Sequence, residues 1–139
     1  MDDDADVVVI FGGTNDYGHG DSSFGNVDSE DENVYTFCGA VNSLISALKR
    51  DFPKAELVFM TPLHRKDEDE PRRAGGAPLA EYAHALRVIC ARRGVKVIDL
   101  FAMNPLDAAD PELIPDGVHP SDAGHAVLAQ IVGQALLAL

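Results

Sequence analysis

The sequence contains no tryptophan, two cysteines, and 11 basic residues against 23 acidic ones. The formal charge of −12 argues against a nucleic-acid partner, because a phosphate backbone needs a basic surface. It argues equally against an anionic membrane surface, and it reads as solubility through self-repulsion. Cys38 and Cys90 each fall in an apolar helical pattern, without C-x-x-C or Cys/His spacing. They are expected to be buried free thiols. No apolar run approaches the roughly 20 residues needed to span a bilayer. Met1-Asp2-Asp3-Asp4 is the opposite of a signal peptide's basic start. These absences leave one soluble domain over residues 1–139, cytoplasmic as written and without a membrane span.

What is present alternates between two periods. Val7-Val8-Val9-Ile10-Phe11 is a continuous, mostly β-branched run, expected as a strand buried on both faces of a parallel sheet. A Gly/Asp/Ser/Asn-rich stretch from Gly12 to about Asn33 follows, longer than a mere connector. Val34 to Phe52 carries apolar residues at spacings of three and four and ends at Pro53. Glu56 to Met60 is a second buried strand, and Leu63 to Ala77 is a polar segment. Leu79 to Arg92 is a second helix stopped by Gly94. Val95 to Leu100 is a third strand, 104–115 is irregular with at most one helical turn, and Ser121 to Leu137 is a last amphipathic helix. This order predicts a layered α/β fold with a parallel sheet and right-handed crossovers.

In open parallel sheets, ligands bind beyond the carboxyl ends of the strands. Three segments leave those ends and should converge on one rim, carrying Asn15, Asp16, His64, Arg65, Asp116 and His119. Asp116 and His119 form D-x-x-H before a helix, so the carboxylate can accept from the ring Nδ1 and leave Nε2 as a base. A plain turn fits the same spacing. Asn15 follows two glycines at a strand end, where its amide can donate to a developing oxyanion, although Gly-Gly-Thr-Asn-Asp is also ordinary turn chemistry. It is not a dinucleotide fingerprint, since the glycine spacing is absent and no helix is expected to start there. His64-Arg65 suits a substrate oxygen or carboxylate, and equally a solvated loop. His19, His84 and His125 read as loop, packing or surface residues. Asp116, His119 and His64 have no recognised metal-ligand spacing, so no metal site is assigned.

Two motifs taken together, "VVVIFGGTNDYGHG" (Val7 to Gly20) and "PDGVHPSDAGHAVLA" (Pro115 to Ala129), resemble the SGNH hydrolases, also called GDSL-type esterases and lipases. "VFMTPLHR" (Val58 to Arg65) is similar to the strand and loop between them in that family. The resemblance covers nearly the whole chain and implies a three-layer α/β/α, flavodoxin-like fold. It implies a serine esterase or lipase acting by an acyl-enzyme route with no metal or organic cofactor. His119 would be the base, Asp116 its orienter, and Asn15 the oxyanion donor. Gly13, Asp16, His64 and Arg65 would contact a small-molecule ester, such as an acylated carbohydrate or lipid.

One departure is large. The family's nucleophilic serine lies in an early G-D-S block that precedes the G-x-N-D block, and only eleven residues precede Gly12 here. The expectation is therefore an N-terminally truncated, partial SGNH domain that lacks its serine and is inactive alone. The alternatives are a non-catalytic carbohydrate- or lipid-binding module and a hydrolase completed by a partner chain. Gly20-Asp21-Ser22 has the letters of the nucleophile block but comes after G-x-N-D. It sits among glycines, where a serine lacks the rigid seat that catalysis needs, so the match is read as accidental. Loss of a neighbouring strand would leave 7–11 as a bare apolar edge, a route to self-association.

Overall fold

The structure, a computed structural model, describes residues 4–19 and 22–138. The acidic start 1–3 and the Gly20-Asp21 half of the G-D-S match lie outside the described residues. Three parallel strands, β1 (Val7–Phe11), β2 (Glu56–Met60) and β3 (Lys96–Ile98), form one sheet in that order. Val8 is in register with Leu57, and Val58 with Lys96. Between β1 and β2 run α1 (Thr14–Gly18) and α2 (Phe37–Asp51). α3 (Leu79–Arg93) joins β2 to β3, while α4 (Leu100–Met103) and α5 (Asp122–Leu137) follow β3.

The period-2 alternation of the strands divides the core. Val8, Leu57 and Phe59 face α2 and α3, packing with Val41, Ile45 and Leu86. Val58, Met60 and Ile98 face the other way and pack against Leu128 of α5 together with Leu106 and Ile114. Helices on both faces of a parallel sheet make the three-layer α/β/α fold that the element order predicts.

The strand β1 differs from its expected burial. Val8 is buried, but Val7, Val9 and Phe11 are 47%, 40% and 50% exposed. The reason is coverage: α5 packs on β2 and β3, and its Leu136 only borders a groove shared with Val7 and Val9. Helix and strand ends also shift. α2 begins at Phe37 rather than Val34, because the Thr36 hydroxyl accepts from the Gly39 amide at 3.1 Å as its N-cap. Gly39 is required there, since a Cβ would meet the backbone of Asn33. β3 spans only Lys96–Ile98. Asp99 ends it by capping α4 through the Ala102 amide, so the single helical turn falls at Leu100–Met103 rather than within 104–115.

The segment between α1 and α2 is long but tied down. Its side chains close successive short turns, with Asn26 accepting from Asp28, Asp31 from Asn33, and Asn33 from Tyr35. Buried Asn42 of α2 donates to the Ser29 and Asp31 carbonyls, and Arg92 of α3 to those of Val27 and Ser29. Phe24 anchors the same segment against Phe37 and Tyr82.

Candidate active site

The turn before α5 is built by three glycine and serine positions. Ser121 caps α5 by accepting from Gly124, while its hydroxyl donates to the Glu112 carbonyl at 2.6 Å. Gly124 permits the close approach of that loop, because a Cβ would lie 2.6 Å from the Leu113 carbonyl oxygen. Gly117 takes a left-handed φ of 79°, which turns the chain so that Asp116 faces His119. Its carbonyl accepts from the Lys66 amide at 3.1 Å, tying the turn to the loop after β2.

Asp116 is saturated with donors. Its Oδ1 accepts from the Val118 and His119 amides at 2.8 and 2.7 Å, and its Oδ2 lies 2.6 Å from His119 Nδ1. The His119 amide, then the His119 ring and the Val118 amide, hold this carboxyl well below the usual carboxylate range. An ionised carboxylate at that position can only accept, so Nδ1 carries the proton, and in the neutral ring Nε2 is the nitrogen with the lone pair. Nε2 makes no hydrogen bond among the described residues. His119 walls a cleft of about 170 Å³ whose other lining includes Phe11, Gly12, Thr14, Pro62 and Leu63. All three segments leaving the strand ends contribute to this cleft, through Gly12 and Thr14, through Pro62 and Leu63, and through Val118 and His119.

Asn15 lies in the first turn of α1, directly after Thr14, and is exposed. A short helix does begin in this segment, contrary to the expectation from the sequence. It begins because Gly13 adopts φ 106° and its carbonyl accepts from the Tyr17 amide at 3.0 Å. The Asn15 side chain makes no hydrogen bond among the described residues and is available as a donor.

The remaining candidates sit elsewhere. Gly13 and Asp16 border a second apolar cleft, on the α2 side, with Ile10, Phe37 and Val41. His64 is held at both nitrogens, Nδ1 2.7 Å from Glu68 Oε1 and Nε2 2.9 Å from the Phe101 carbonyl, with its ring on Phe101. Arg65 is 6% exposed and forms a two-pronged pair with Asp67 at 2.8 and 3.1 Å. Neither joins Asp116 and His119. Among the described residues no cluster of three or more His, Cys, Asp or Glu is placed to hold a metal ion. The Ser22 carbonyl accepts from Arg73, and no hydrogen bond joins the Ser22 hydroxyl to His119.

Tyr17 and Arg73 escaped the sequence reading. Arg73 gathers the carbonyls of Asp16, Tyr17 and Ser22, but it stands in a mixed-charge segment without any period that would single it out.

The comparisons with known proteins bear on the fold and the family. Curated proteins give no sequence match. One solved structure is 36% identical and superposes with a TM-score of 0.87, covering 100% of this chain and 67% of its own. A protein from Lactobacillus plantarum is 27% identical with a TM-score of 0.85, over 99% of this chain and 69% of that one. A lipase/acylhydrolase from Enterococcus faecalis is 26% identical with a TM-score of 0.58, over 94% and 60%. The family model for GDSL-like lipases and acylhydrolases matches residues 2–127. Because that match runs through every strand and into the last helix, the chain belongs to the GDSL-like lipase/acylhydrolase family.

Proposed function

We propose that this chain carries the base, its orienting carboxylate and an amide donor of an ester-hydrolysing site, and that the nucleophilic serine comes from another segment docked at the free edge of β1. The observation that carries the reading is the Asp116–His119 pair, joined at 2.6 Å, with His119 lining the cleft and its Nε2 without a hydrogen bond among the described residues. In the acyl-enzyme route, His119 Nε2 takes the serine proton as the serine oxygen attacks the ester carbonyl. The Asn15 amide donates to the oxyanion that forms. His119 then returns the proton to the departing alcohol, and water repeats the sequence to release the acid. Asp116 stays ionised and holds the ring in one tautomer throughout.

The cleft walls of Phe11, Pro62 and Leu63 are apolar, which suits a small acyl group on an acylated carbohydrate or lipid. The exposed Val7, Val9 and Phe11 support the docking of a further strand, supplied by a longer form of this chain or by a partner chain. A short-chain chromogenic ester assay tests the proposal. The chain alone is expected to give no turnover, and turnover should appear when a serine-bearing strand segment is supplied and vanish in His119→Ala. Turnover by the chain alone that disappears in Ser22→Ala would overturn the assignment.

A further inference from the structure

The donor Asn15 stands on a helix that cannot hold itself. α1 has five residues, far below the about 12 that an isolated helix needs for even marginal stability in water. Its first and last turns are held by side chains from one distant stretch, residues 65–73, in which the sequence offered Arg65 alone as a substrate contact or a solvated-loop residue. Arg65 Nη1 donates to the Thr14 carbonyl at 3.2 Å and lies 3.4 Å from the Thr14 hydroxyl. Its guanidinium also stacks on Tyr17, 5.1 Å from the ring centre. Gly18 leaves room for that approach, since a Cβ would lie 2.8 Å from Arg65 Nη1.

Arg73 holds the other end. Its fork donates to the Asp16 carbonyl, to the Tyr17 carbonyl at 3.4 Å, and to the Ser22 carbonyl at 3.0 Å. These are carbonyls of the last turn and just beyond it, which a short helix leaves without internal partners, and a cation there also complements the helix dipole. Tyr17 returns the grip, its buried hydroxyl shared between the Asp67 and Glu70 carbonyls. Asp67 in turn fixes Arg65. The helix and the strap thus hold each other at both ends, with Asn15 between the two arginines.

We infer that residues 65–73 form a positioning strap for Asn15, in which Arg73 and Arg65 set the direction of its amide rather than touch substrate. The inference rests on Asn15 serving as the oxyanion donor. The physical need is plain: an oxyanion donor contributes in proportion to its pre-organisation, and a displacement of about 1 Å costs on the order of a hundredfold in rate. Arginine is required at position 73 because a lysine ammonium lacks the planar fork that reaches carbonyls on two segments.

Two measurements test this. In the chain itself, Arg73→Ala should speed amide exchange at Tyr17 and His19, the donors to Gly13 and Asn15, by about tenfold or more. Val58 and Ile45 amides should keep their rates, as should all of them in the control Arg50→Ala. Arg73→Lys should remain loose. If Arg73→Ala does not fold, Tyr17→Phe keeps the ring and removes only the hydroxyl link, and it should show the same local acceleration. In the esterase assay with the serine segment supplied, Arg73→Ala should lower kcat about tenfold or more at unchanged KM, and should have no further effect in an Asn15→Ala background. Unchanged exchange, or a full additive effect in that background, overturns the strap. If no serine segment yields turnover, the esterase reading fails, and the exchange rates alone decide whether the strap holds α1.

Discussion

Asp116 gains its role from three hydrogen bonds that a free aspartate lacks. They favour the ionised form, so its carboxyl should titrate below the ordinary value of 3.8. Such a depressed carboxylate stabilises the turn at every pH above the ordinary value, and that contribution fades only as pH falls through the depressed one. A carbon-13 titration of the Asp116 carboxyl checks it, and a midpoint at or above 3.8 would show that the donors do not act on the charge. The two thiols stand at the other extreme. Burial pushes Cys90 up to about 12 and Cys38 up to about 11, and the thiolate is the reactive form. Under native conditions at pH 8, neither should react with a water-soluble disulfide reagent, while both should react in denaturant. His64 shows how a residue type can be legible and its partners not. Its place after β2 was readable, but the Phe101 carbonyl that occupies its ring comes from a segment 37 residues away.

At the scale of elements, caps and close approaches decide where helices begin. Ser121 caps α5 and also grips the loop before it, so Ser121→Ala should cost about 1 kcal/mol for the cap and should also loosen the Asp116–His119 turn. Gly124→Ala places a methyl against the Leu113 carbonyl at the same junction. It should destabilise by about 1–3 kcal/mol, as overpacking does. Urea unfolding measures both, and equal stability of Gly124→Ala and the wild type would mean that the loop yields freely. The strand and helix order was readable because apolar period and stop signals agree locally, as at Glu56–Met60 and Leu79–Gly94. The start of α1 was not readable. Its helical turn depends on a left-handed Gly13 and on carbonyl partners supplied from residues 65–73, neither of which leaves a local pattern.

For the whole molecule, the decisive feature is an apolar edge left open. β1 is a run without charge or proline, paired among the described residues on one side only and exposed at Val7, Val9 and Phe11. Such an edge recruits other strands. The chain should associate as its concentration rises in sedimentation velocity, against the repulsion of its −12 charge, and Val9→Lys should weaken that association. A wild-type chain that stays monomeric at every concentration would show the edge to be inert. The same strand borders the cleft of His119 through Phe11 at its carboxyl end, so a further strand added parallel to β1 would bring its own carboxyl end toward the imidazole.

The sequence by itself determined the alternating α/β order, the parallel sheet and the D-x-x-H pair, because each is written in residues close together along the chain. It also placed Asn15 at the end of a strand, where ligands gather. Only the tertiary structure decided which polar residues face the cleft. Arg65 and His64 turn inward because Asp67, Glu68 and the Phe101 carbonyl offer them partners, and burying a charge or a polar ring requires such partners. Tertiary structure also decided that β1 is half covered, since coverage depends on which strands α5 crosses, and that is a property of packing rather than of the apolar run itself.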